Sequence, residues 1–114
     1  MGLIETEHYH AHVYFDVGIP DQQFLAQTLR EKIGQIFSVV LGQVFDRPIG
    51  PHPLPMFQVL IGKAQLCEVT SWLQSNRQGL TILIHAVSGD DLEDHTMHCI
   101  WLGSPYPLKL DALR

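Results

Sequence analysis

The chain has 114 residues, enough for a single domain over 1–114 with one core; 46% apolar and 17% charged residues mark an ordinary globular composition, not a disordered one. A net charge of −5 without any run of Lys and Arg argues against a nucleic-acid surface, and no apolar stretch is long enough to span a bilayer. Glu5-Thr6-Glu7 stands where an export signal would carry its apolar segment, so a cytoplasmic protein with free thiols at Cys67 and Cys99 is expected.

In chain order, His8 to Asp16 alternates and is rich in aromatic and β-branched residues, which predicts a strand with His10, His12 and Tyr14 on one face. Asp21 is placed to cap a helix running to Ile36 or Phe37, with Phe24, Leu25, Leu29, Ile33 and Ile36 as its apolar stripe. A second strand is expected over Val39 to Phe45, weakened by Gly42. Four prolines and a glycine make Asp46 to Pro55 a stiff loop carrying His52. Met56 to Ile61 reads as a third strand, and Lys63 to Arg77 as a second helix with Leu66, Val69, Trp72 and Leu73 toward the sheet. Leu80 to His85 reads as a fourth strand whose Thr81, Leu83 and His85 share a face. Beyond the turn Ser88 to Asp91, a helical turn over Leu92 to His95 and a short strand over Met97 to Leu102 are expected. Gly103 to Pro107 then turns into a closing segment, Leu108 to Arg114.

The order βαββαβ with a C-terminal extension predicts an α+β, ferredoxin-like sandwich with spatial strand order 4-1-3-2. Strands one and three are taken as parallel neighbours, with strand four antiparallel beside strand one. In that arrangement His10, His12, His52 and His85 converge at one end of the sheet, where the segment bearing His95 and His98 also begins. The helix-free face would then be covered by the tail or by a second subunit, and a homodimer is expected.

Seven histidines, as many as Lys and Arg together, need an explanation. Residues i and i+2 of a strand share a face, so His10 and His12 can reach one ion and a neighbouring strand can complete the set. A lone strand histidine is more often an ordinary half-buried residue, and His8, at the strand's frayed end, fits that description. Convergence is what raises His10, His12, His52 and His85 to metal ligands. His95 and His98 could ligate, move protons or bond their own turn. The acidic run Asp90 to Asp94 suits the start of a helical turn, lacks the spacing of a calcium loop, and puts Asp94 beside His95.

The segments Tyr9-His10-Ala11-His12-Val13-Tyr14-Phe15, Gly50-Pro51-His52-Pro53 with Met56-Phe57, Leu83-Ile84-His85, and Gly89 to Thr96 with Trp101-Leu102-Gly103 together resemble the DOPA 4,5-dioxygenase family. The resemblance covers nearly the whole chain, in order. It implies a ferredoxin-like fold, a small subunit that pairs, Fe(II), dioxygen, and extradiol cleavage of a catechol such as DOPA. By position it favours His12, His52 and His85 as metal ligands and sets His95 in the family's Asp-His segment. Zinc, which suits imidazole as well, is an expected occupant of purified protein. Two His and one carboxylate is the familiar non-haem iron set. Here the set is all-histidine, or it draws in Asp91, Glu93 or Asp94. His95 or His98 is expected to exchange a proton with substrate, and Tyr14 to bond an oxygen intermediate or pack across the strands. The rival readings are a non-catalytic zinc-binding dimer module and a structural interaction domain with scattered histidines.

Overall fold

The structure, a computed structural model, describes residues 2–114. The strand β1 (His8–Tyr14) buries Tyr9, Ala11 and Val13 on one side, because alternation sends every second side chain toward the helices. The helix α1 (Gln22–Ile36) turns Ala26, Leu29 and Ile33 into that layer. Phe24, expected in the stripe, is instead 67% exposed, and Ile36 is 53% exposed. At 3.6 residues per turn Phe24 falls nearly opposite Ala26, so a stripe centred on Ala26, Leu29 and Ile33 excludes it. Asp21 takes a left-handed backbone conformation and its side chain caps nothing. The entry is shaped instead by Gln22 Oε1, which accepts from the Asp16 amide at 2.8 Å.

Chain reversal follows through β2 (Val40–Phe45) and β3 (Met56–Gly62). Their pairing shifts register between Leu41 and Val44. Gly42 lies inside that bulge, and a Cβ there would stand 3.0 Å from the Gln58 carbonyl oxygen. A single 3₁₀ turn leads into α2 (Leu66–Asn76), which buries Val69 and Leu73, with Leu66 and Trp72 half-buried beside them. The strand β4 (Ile82–Ala86) is buried along its whole length. A four-residue helix, α3 (Asp91–Asp94), and a fifth strand, β5 (Cys99–Leu102), complete the regular elements.

The result is a mixed α+β fold around one five-stranded antiparallel sheet, ordered β2-β3-β1-β4-β5. The four-strand order matches the expectation, with β5 added outside β4. The relation between β1 and β3 does not: they are antiparallel, with His8 opposite Gly62 and Tyr14 opposite Met56. The crossover through α1 makes β2 parallel to β1, and the reversal between β2 and β3 turns β3 against both. The start of β3 therefore lies beside the end of β1, so the loop carrying His52 enters from the Tyr14 end. His52 reaches the other histidines by folding back over the face, not by sharing an end of the sheet with them.

One face of the sheet, with Val13, Val59, Ile61, Ile82 and Ile84, packs against α1 and α2. Each such fully buried side chain contributes about 1.5–3 kcal/mol of transfer free energy. The other face holds a small cluster of Tyr14, Met56, Leu83 and Cys99, against which Trp101, Tyr106 and Leu108 of β5 and the tail are packed. The Lys109 amide donates to the Pro51 carbonyl at 2.8 Å, tying the tail to the His52 loop. Of the two covers expected for the helix-free face, the tail is the one present within the chain. Among the described residues, no helix is long and apolar enough to cross a membrane.

Candidate metal centre

The imidazoles come together because of register. His10 lies directly opposite His85 across the β1–β4 pair, and His12 is two residues further along the same face. Nε2 of His12 and Nε2 of His85 are 2.9 Å apart. The ring of His52 comes down beside His12, with centroids 4.1 Å apart, and that of His95 stands 4.1 Å from His85. Two sets of nitrogens lie within 4.8 Å of one another: His10, His12 and His85, and His12, His52 and His95. His12 belongs to both.

Hydrogen bonds aim these rings. His85 donates Nδ1–H to the Ala86 carbonyl at 2.7 Å, and His95 donates Nδ1–H to the Asp91 carbonyl at 2.7 Å. Each therefore presents a bare Nε2. With His85 so fixed, the 2.9 Å contact requires Nε2–H of His12 to donate, which leaves Nδ1 of His12 bare, buried and without a partner. The same 2.9 Å suits two adjacent nitrogen ligands of one ion with bonds of about 2.0–2.1 Å. Nδ1 of His52 stands 2.7 Å from the Tyr14 hydroxyl, and either group can donate, depending on the imidazole tautomer. Tyr14 is itself held by Trp101, stacked at 6.0 Å, and by the edge of Tyr106.

Burial favours the neutral form of His10, His12, His52 and His85. It holds His12 well below the ordinary value of 6.5, with His52 and His85 adding to the effect. Burial, then the neighbouring His95, lowers His52 to about 4. Burial lowers His85 to about 3, against the opposing pull of its bond to Ala86. His10 is lowered mainly by burial, and Asp91 and Asp94 partly oppose this. Desolvation raises the Tyr14 phenol further above neutrality. Neutral, close-packed imidazoles with lone pairs inward are poor hosts for protons and good hosts for a divalent transition-metal ion. The 2.9 Å approach of His12 Nε2 to His85 Nε2 and the all-nitrogen donor sets fit such an ion.

These groups line a cleft of about 230 Å³ together with Pro51, Gln58, Val87, Asp91, Asp94 and Leu113. A larger apolar groove of about 510 Å³, between α2 and the N-terminal segment, carries none of these histidines. Of the carboxylates expected as alternatives, Asp91 and Asp94 stand on the cleft wall but outside the metal-distance sets, and Glu93 is not among the lining residues. Asp94 accepts from the Ser88 amide at 2.9 Å and the Ser88 hydroxyl at 2.6 Å, and Glu93 stands 3.5 Å from His98. Both metal-distance sets found among the described residues are all-histidine. His98 is half-buried outside them, and His8 is exposed. Two contributors escaped the sequence reading. Gln58, directly opposite His12, would have been found by pairing β1 and β3 antiparallel. The Tyr14–His52 contact depends on a loop path that no local signal encodes.

The profile of the Dopa 4,5-dioxygenase family matches residues 9–112, a span that includes His10, His12, His52, His85 and His95. The chain belongs to that family. A DOPA 4,5-dioxygenase of Amanita muscaria is 30% identical over 115 residues, covering 96% of this chain and 50% of the fungal protein. An uncharacterized 21.2 kDa protein of Botryotinia fuckeliana is 32% identical over 112 residues, covering 90% of this chain and 61% of its own length. The chain thus spans about half to three-fifths of these curated relatives. A crystal structure of a provisionally assigned dioxygenase from Nostoc punctiforme is 44% identical, with a TM-score of 0.90 over 95% of this chain and 91% of that one.

Proposed function

We propose that this protein is a non-haem iron, extradiol dioxygenase that opens the ring of a catechol such as DOPA with dioxygen. The observation that carries the reading is His12: buried, shared by two sets of converging imidazoles, and left with an unpartnered ring nitrogen. The scaffold that goes with it is ferredoxin-like, supported by the order βαββαβ and the sheet order β2-β3-β1-β4. Cytoplasmic location and a homodimer stay within the proposal. The exposed Val40 and Val44 of edge strand β2 are the surface to follow when the mass in solution is measured.

In this proposal His10, His12 and His85 hold the metal, the set that leaves His95 free, with His52 beside His12 as a further ligand. Fe(II) bound there would supply the Lewis acidity toward the two catechol oxygens and the redox partner that dioxygen requires. The protein's own groups do the rest. Bare imidazole nitrogens are aligned in advance by their bonds to Ala86 and Asp91, so little reorganisation is needed on binding. His95, pointing Nε2 inward, accepts a proton from a catechol hydroxyl and returns it to product. His98 stands beside Glu93 instead of on the cleft, so the proton role passes to His95. Tyr14, occupied by His52, orients that ring and is not free to bond an oxygen intermediate. The cleft of about 230 Å³ suits a single aromatic ring better than a fused or extended substrate. Pro51 and Leu113 on its walls help exclude water.

The test is oxygen consumption by anaerobically iron-loaded protein given DOPA and simple catechols, with His12→Ala as control. Uptake coupled to a new visible chromophore, and lost in the variant, is expected. Tight metal binding without uptake would move the assignment to a zinc-binding module. Neither metal nor uptake would mean that the imidazoles are structural.

A further inference from the structure

The cleft has a charge pattern that the metal reading does not use. Its polar lining consists of imidazoles, the Gln58 amide and two carboxylates, and no Lys or Arg is among its walls. The two acids differ. Asp94 is buried with both carboxylate oxygens engaged by Ser88, so its charge is already compensated by donors. Asp91 is exposed at the cleft wall, and among the described residues its side chain makes no hydrogen bond or ion pair. Among the described residues, Arg114 pairs with Asp111 and Lys63 with Glu5, while Lys109 lies exposed on the tail that bonds Pro51 and is not part of the lining. The backbone carbonyl of Asp91 also receives Nδ1–H of His95, so this one residue joins a free negative charge to an oriented imidazole.

We propose that Asp91 is a specificity-determining residue that receives a positively charged substituent of the substrate, so that the cleft prefers ring-linked amines over ring-linked carboxylates. The proposal rests on the catechol reading above and deepens it. An ortho-diphenol whose hydroxyls point at the histidines carries its substituent away from them, toward the cleft wall. An ammonium there meets the Asp91 carboxylate. A carboxylate there meets the same charge with no Lys or Arg among the lining residues to offset it. Because Asp91 is solvent-exposed, the preference is modest and falls as salt is added.

Binding can be read without turnover. Zinc-loaded protein is titrated with 4-nitrocatechol, whose visible absorption changes on deprotonation, and the bound dye is then displaced by three competitors. These are dopamine, 4-methylcatechol and 3,4-dihydroxyphenylacetate: cationic, neutral and anionic forms of one ring. The expected order of affinity is dopamine, then 4-methylcatechol, then the acid. In Asp91→Asn the preference for dopamine over 4-methylcatechol should fall by about three- to fivefold, the size of an exposed charge pair. Asp91→Glu should retain it, and 0.5 M salt should flatten it in the parent protein. An unchanged preference in Asp91→Asn, or an acid that competes as well as dopamine, overturns the assignment while leaving the catechol reading intact. Dye that never binds protein with a full complement of zinc overturns both.

Discussion

The two faces of one sheet are built from the same strands and solve opposite problems. Toward the helices, Ala11, Val13, Val59, Ile82 and Ile84 are fully buried and need nothing beyond shape. On the reverse, His12, His52, His85 and His95 are nearly as inaccessible, yet each carries ring nitrogens that burial penalises unless they are paired. Only part of that requirement is met, by Ala86, Asp91 and Tyr14. The first face explains why the protein folds. The second is arranged at a cost to folding, which is the usual signature of a site maintained for binding.

The largest break in this comparison is expected on the helical face. Ile84→Ala should lower stability by about 2–5 kcal/mol in denaturant titrations while leaving metal stoichiometry of the folded fraction unchanged. Loss of metal at equal occupancy of the folded state would mean that the faces are not separable.

Acid should act through the other face. His52 and His85 take up protons at about 4 and 3 when folded, against an ordinary 6.5, so the unfolded chain binds protons first as pH falls. Their contribution is complete above pH 6.5 and is lost progressively from there down to about 3. Denaturation midpoints of metal-free protein at pH 7.5, 5.5 and 4.5 should therefore decline in that order; a flat series would contradict the burial of neutral rings.

A smaller effect is expected from the contact between His52 and Tyr14. Tyr14→Phe keeps the stacking on Trp101 but removes the hydroxyl that orients the imidazole, and should weaken metal affinity by about 10- to 100-fold. Competition against a chelator measures this, and nitrogen NMR of His52 should show the tautomer becoming mixed. If affinity and tautomer are both unmoved, His52 is oriented by its proline loop alone.

The smallest change in stability should come from the residue most important to the site. His12→Leu removes one hydrogen bond and one orphaned nitrogen together, so metal-free stability should stay within about 1 kcal/mol of the parent. Metal content should nevertheless fall to background. A variant that unfolds would mark His12 as a core residue first.

What the sequence determined by itself was local. Alternation in β1 assigned His10 and His12 to one face and Ala11 and Val13 to the other, because side-chain direction in a strand has a strict period of two. The same rule placed His85 against Ile84, and four prolines announced a stiff loop around His52. The sequence also determined the family, through motifs carried in order along the chain.

Tertiary structure decided what periodicity cannot express. Antiparallel pairing of β1 with β3 set Gln58 opposite His12 and brought the His52 loop in from the Tyr14 end. The helical stripe left Phe24 outside, because where a stripe is centred depends on the surface it meets. His95 was gathered in while His98, three residues away, was not, since the turn of α3 directs one ring at His85 and leaves the other beside Glu93. Direction along a strand is a property of the residue and its neighbours; which strand lies alongside, and which way it runs, is settled only when distant segments share one core.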